Sequence, residues 1–271
     1  MVPAGSIILM AVNALLGIAV PVGLSWYLVR KHHVKISTIL IGAGTFLVFA
    51  LILESILHQA VLNGPHGAAI RDNRLWYALY GGLAAGLFEE TGRFLSMKFL
   101  MKKEPSTPNP ALAYGVGHGG AEMLLVFGLT MIGYLAISVM INAGQGDMLF
   151  ADVPEEASAP LQAQLDLLQN SQPGTWLLGL WERFSALILQ LALSCLVWVA
   201  VRKGGKWLWL FPAAIALHAL VDGVVVLLKD SLGMVALEAI LFVAALAVAA
   251  LAYRIVKQTL IFTMTLVKIE R

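Results

Sequence analysis

The sequence predicts an all-α integral membrane protein, a helix bundle of about seven spans, and three observations carry that prediction. The first is composition. Of 271 residues, 59% are hydrophobic and 13% charged, against roughly 45–50% and ~25% in soluble domains. The second is run length: about seven apolar stretches reach the ~20 residues that a helix needs to cross a bilayer. The third is the sorting of charge between those stretches, which follows the preference of Lys and Arg for the cytoplasmic side. The single cysteine, Cys195, lies in an apolar run, which argues against a disulfide framework and a cysteine-type zinc site.

Taken in order, spans are expected at roughly 6–29, 36–60, 75–99, 111–141, 176–201, 207–228 and 232–256. The first continues past Pro21 to Val29, longer than the ~7–15-residue core of a signal peptide. Arg30, Lys31 and Lys35 follow it; Lys98, Lys102 and Lys103 follow the third; Arg202, Lys203 and Lys206 follow the fifth. Arg254, Lys257, Lys268 and Arg271 close the chain, whose residues 257–271 alternate apolar and basic, as a segment along the inner membrane surface would. These placements predict an outer N-terminus and a cytoplasmic C-terminus. Arg71 and Arg74, in the second connection, are the exceptions.

The fourth connection, roughly 142–175, holds Asp147, Asp152, Glu155, Glu156 and Asp166 but no Lys or Arg, which makes it extracytoplasmic. Within it Leu161, Leu165 and Leu168 share one helical face, the mark of a short surface helix. The proline-bounded segment 105–110 is a turn. There is no internal repeat, no phosphate-binding glycine loop and no basic-aromatic patch, so nothing points to nucleotides or nucleic acid. Residues 1–271 read as one transmembrane domain with a motif-bearing core at roughly 75–230. Small size and short loops suit a bacterial inner membrane.

Ionisable residues sit where hydrocarbon is expected. Each costs at least ~2.5–3.5 kcal/mol at mid-span on insertion scales, so each needs a reason. The third span carries Glu89-Glu90-x-x-Arg93, in which Arg93 can reach one carboxylate along the helix and leave the other, about 100° around, free. The fourth carries Tyr114-x-x-x-His118-x-x-x-Glu122, and the sixth His218-x-x-x-Asp222. In both, an acid four residues on is placed to orient the imidazole. At ~1.5 Å per residue, Glu89 lies ~13 Å from Lys98, His118 ~12 Å from Pro110 and His218 ~18 Å from Lys206. Three helices thus bring their ionisable groups to one layer in the cytoplasmic half of a core ~30 Å thick. Glu54, His58, Glu182 and Arg183 fall nearer the outer ends, where Glu54–Arg183 is the expected interhelical ion pair.

Such a layer suits peptide hydrolysis, which needs an activated water, a proton carrier and a partner for the oxyanion. Either Glu89 or Glu90 serves as the base, His118 holds the water, and His218 with Asp222 polarises the scissile carbonyl. Alternatively His118, His218 and Glu90 bind a divalent metal, zinc for preference, since two histidines and a carboxylate form a known catalytic zinc set. Tyr114 and Glu122 would support the centre from behind. The plainer reading of the same residues is a buried ion-pair network that keeps helices in register, with Gly117, Gly119 and Gly120 allowing close packing.

The order acid-acid-x-x-Arg, aromatic-x-x-x-His, His-x-x-x-Asp on three separate spans, the third, fourth and sixth, resembles the CAAX-protease and bacteriocin-processing superfamily of intramembrane proteases. It looks most like the YhfC branch. The resemblance covers roughly residues 75–230 and implies a multi-helix fold with an active site facing a cavity in the bilayer. It implies Glu89 as the water-activating glutamate, Glu90 as its companion and Arg93 as their helix-internal partner. His118 becomes the second-motif histidine, and His218 with Asp222 the third-motif pair. Two features differ from the better-known members: two residues, not three, separate the acid pair from Arg93, and Tyr114 stands in place of Phe. The expected substrate is a membrane-associated peptide. A proton-coupled transporter and a non-catalytic scaffold of the same fold are the alternatives; against the transporter, the chain lacks inverted repeats and paired broken helices.

Overall fold

The computed structural model describes residues 1–150 and 153–261. Its long helices are α1, Ala4–His32; α2, Ile36–Leu62; α3, Arg74–Phe99; α4, Pro108–Asn142; α5, Glu155–Asn170; α6, Pro173–Lys203; α7, Leu210–Leu228; and α8, Met234–Val256. No strand occurs among the described residues. Among the described residues six helices are long and apolar enough to cross a membrane: α1, α2, α4, α6, α7 and α8, the last two in the extended ranges Gly205–Leu228 and Met234–Leu260. The other expected span, α3, has 26 residues, about 39 Å at ~1.5 Å each. It is long enough to cross, but it carries Glu89, Glu90, Arg93 and Lys98, which lower its hydropathy.

The core forms around α6. In its most apolar window 72% of residues are buried, against 17–28% in the other five candidate spans. A helix apolar on every side belongs inside a bundle, and the stretch Leu189, Leu193, Leu196, Val197, Trp198 and Val199 meets that description. Helices α4, α7, α8 and α3 pack against it. The basic end is tied by Arg202, which donates to the Glu104 and Lys102 carbonyls (2.9 and 3.2 Å), and by Lys35–Glu104 (2.7 Å). At the opposite end α5 lays Leu165 and Leu168 inward and leaves Leu161 half-buried, so the predicted surface helix forms and runs longer than its leucine pattern.

Arg71 and Arg74, the exceptions to the charge pattern, have local work. Arg74 donates to the Leu227 carbonyl (2.6 Å) and Arg71 to the Leu62 carbonyl. Both therefore cover carbonyls at helix C-termini, where a cation is favourable. Two π-helical stretches, Leu47–Glu54 in α2 and Met123–Gly128 in α4, interrupt otherwise α-helical spans. At the chain's end, Lys257–Ile261 continues α8 as a π turn; the rest of the expected surface segment lies outside the described residues.

Candidate active site

Close helix contacts set the site. At Gly82 and Gly86 the backbone of α3 lies against that of α7: a Cβ on Gly86 would fall 2.7 Å from the Ile215 carbonyl oxygen. At Gly42 and Gly117 α2 and α4 meet in the same way, backbone to backbone. Small residues permit such approach, which replaces the hydrophobic drive missing inside a membrane. The result is that α3, α4, α6 and α7 direct polar side chains into a common interior.

There, Arg93 donates through one nitrogen to both oxygens of Glu90 (2.6 and 2.7 Å), and all of these groups are buried. Glu90 also bonds His218 Nδ1 (2.8 Å). Glu89 faces the other way: its Oε2 bonds His118 Nε2 (2.8 Å) and accepts from Gln190 Nε2 (2.9 Å). The structure thus brings Glu89, Glu90, Arg93, His118 and His218 into one hydrogen-bonded cluster. Asp222 stands at its edge, its side chain 40% exposed and its Oδ2 3.4 Å from His218 Nε2. Charge-assisted bonds of this kind make a buried carboxylate tolerable, since an unpaired one would cost several kcal/mol or more.

Aromatic rings close the centre. Tyr114 is fully buried and stacks on His118 (5.9 Å, 25°), while Phe46 meets the same imidazole edge-on (5.4 Å, 74°). His118 Nδ1 and the Tyr114 hydroxyl are buried without hydrogen-bond partners among the described residues.

Two expectations are corrected. Glu122 does not orient His118. It bonds Arg183 (3.1 Å) and Gln190 (3.1 Å), because His118 gives its Nε2 to Glu89 on the neighbouring helix. Nor does Glu54 pair with Arg183. Glu54 bonds its own helix neighbour His58 (3.2 Å), whose other nitrogen meets the Tyr80 hydroxyl (2.9 Å), and Arg183 takes Glu122 and Glu182. The expected His218–Asp222 pair is present (Nε2 to Oδ2 3.4 Å), and the same imidazole has a second, closer acid in Glu90 at Nδ1 (2.8 Å).

Gln190, on α6, belongs to none of the three motifs, yet it joins the first two. Its Oε1 accepts from Arg93 and its Nε2 donates to Glu89 and Glu122. Only a carboxamide offers an acceptor to the guanidinium and donors to two carboxylates at once. The signal in the sequence is a lone amide in the apolar run 184–200.

The donor set does not make a metal cage as it stands. Among the described residues no group of three His, Cys, Asp or Glu converges on a point. His118 meets Glu89, whereas both oxygens of Glu90 are held by Arg93 and both nitrogens of His218 face carboxylates. The set His118, His218 and Glu90 is therefore not gathered about one site, and a metal would have to displace these bonds.

Fold and interior together define an integral membrane protein built around a buried carboxylate–imidazole–guanidinium centre. Residues 16–247 match the family described as YhfC intramembrane metalloprotease, and the chain belongs to that family. A relative from Bacillus subtilis (strain 168), described as an uncharacterized membrane protein YhfC, is 37% identical over 223 residues, 81% of this chain and 84% of its own. No solved structure matches. This is the branch to which the order of the three motifs pointed.

Proposed function

We propose that this protein is an intramembrane endopeptidase that hydrolyses peptide bonds of membrane-associated substrates, with Glu89 as the base that activates water. One observation carries the choice of base. The Glu89 side chain retains 10% exposure and Glu90 none. Glu89 Oε2 is occupied by His118 and Gln190, while its Oε1 has no hydrogen-bond partner among the described residues. Glu90, by contrast, is saturated by Arg93 and His218.

In this reading a water hydrogen-bonded to Glu89 Oε1 attacks the scissile carbonyl carbon and gives its proton to Glu89. The C–N bond then breaks, and the same proton passes from Glu89 to the departing amine. His218, buried and held at Nδ1 by Glu90, turns its Nε2 from Asp222 (3.4 Å), which stands at the exposed edge, to donate to the oxyanion. His118 and Gln190 keep the Glu89 carboxylate in place, and the buried rings of Tyr114 and Phe46 keep water out of that side. No step passes through a metal, in keeping with the mutual bonding of the donors.

Profiling of peptide N-termini in membranes from cells expressing wild type or Glu89→Gln tests the activity and requires no chosen substrate. Termini that appear only with the wild type, at equal protein levels, are expected. Indistinguishable profiles would count against hydrolysis.

A further inference from the structure

A groove of about 580 Å³ runs between α1, α2 and α4, away from the cluster of acids and imidazoles. It exists because α1 and α2 each pack on α4 but hardly on one another. A Cβ at Gly120 would lie 2.8 Å from Pro21 of α1, and the contact at Gly117 ties α4 to Ile39 of α2. Between these two seams the helices diverge, and the floor is α4 itself.

The wall is apolar from Pro21 and Leu124 at one end through Trp26, Leu40 and Ala43. At the other end it meets an exposed guanidinium, Arg30. Nine residues of α1 separate Pro21 from Arg30, about 13–14 Å of rise, close to the ~15 Å hydrocarbon depth of one leaflet. Of the cations at this end, Lys35 is taken by Glu104, whereas Arg30 meets no carboxylate among the described residues. A hydrocarbon slot one leaflet deep with a free cation at its mouth has the shape and charge of a phospholipid with an anionic headgroup.

We propose that this groove holds one acyl chain of an anionic phospholipid, with the headgroup phosphate on Arg30. The site is separate from the hydrolytic centre and stands whether or not the protein cleaves peptides. Trp26, in the wall, is a built-in reporter. The test is quenching of the fluorescence that Trp26→Phe removes, with the full chain in phosphatidylcholine nanodiscs carrying brominated phosphatidylglycerol or brominated phosphatidylcholine. Brominated phosphatidylglycerol should quench with about fivefold higher apparent affinity, the equivalent of ~1 kcal/mol for one basic side chain near the surface. Arg30→Gln should abolish that preference and Arg30→Lys keep it. Ala43→Phe, which fills the slot, should reduce quenching by both lipids, with elution of the variant on gel filtration confirming the fold. Equal quenching by the two lipids in the wild type, a preference that survives Arg30→Gln, or quenching unaffected by Ala43→Phe would each overturn the proposal.

Discussion

Glu89 and Glu90 are neighbours in the chain, and the ~100° between them on the helix gives them different partners. Glu90 turns toward Arg93 and His218, and Glu89 toward His118, Gln190 and the residual opening. Spacing along α3 was enough to predict that Arg93 reaches one of the two carboxylates, since i, i+3 and i, i+4 contacts are properties of the helix alone; that the one is Glu90 follows from the structure. Local i, i+4 spacing failed for His118 and Glu122, and shared depth failed for Glu54 and Arg183. Those pairings depend on how helices are rotated against one another, which depth in the bilayer does not specify. Gln190 escaped notice for a related reason: its significance lies in three contacts on other helices. It carries a sharp prediction. Gln190→Leu removes two donors to carboxylates and the acceptor for Arg93, and bonds to charged groups are worth ~1.5–3 kcal/mol each. Turnover should fall by about 10–100-fold, with helix content by circular dichroism retained; unchanged turnover would mean that Glu89 needs no such support.

At the scale of elements, the spans were legible because apolar length is a property of sequence. Observed helix ends lie within a few residues of the expected ones, as at Arg74–Phe99 against 75–99. The π stretches at Leu47–Glu54 and Met123–Gly128 were not legible, since they change hydrogen-bond register without changing hydropathy. At this scale the candidate centre depends on the seam between α3 and α7. His218 meets Glu90 only because Gly82 and Gly86 let the two backbones approach. Gly86→Ala should cost about 1–3 kcal/mol through overpacking and should lower both melting temperature and turnover. Gly81→Ala, where nothing lies within 4 Å of the added carbon, should leave both nearly unchanged and serves as the control. Equal effects at the two glycines would remove the seam from the account.

For the whole molecule, α6 is the buried axis and the charged α3 is held against it, so Glu89, Glu90, Arg93, His118 and His218 lie inside the bundle and apolar faces point outward. This arrangement meets the demand of a bilayer, where a charge facing lipid is costly. The family's description includes a metal, whereas the donors here bond to one another. The proposed cleavage activity of the purified protein is accordingly expected to survive prolonged chelation. Loss of activity that zinc restores would show that the carboxylate–imidazole pairs open to admit a metal.

The most direct measurement is the rate at which protein reconstituted in liposomes cleaves a peptide identified from the wild-type termini, compared between wild type and Glu89→Gln. General-base catalysis is worth about 10²–10⁴-fold, so Glu89→Gln is expected to lose activity by that factor with the fold intact. Cleavage by Glu89→Gln within a few-fold of wild type would contradict it.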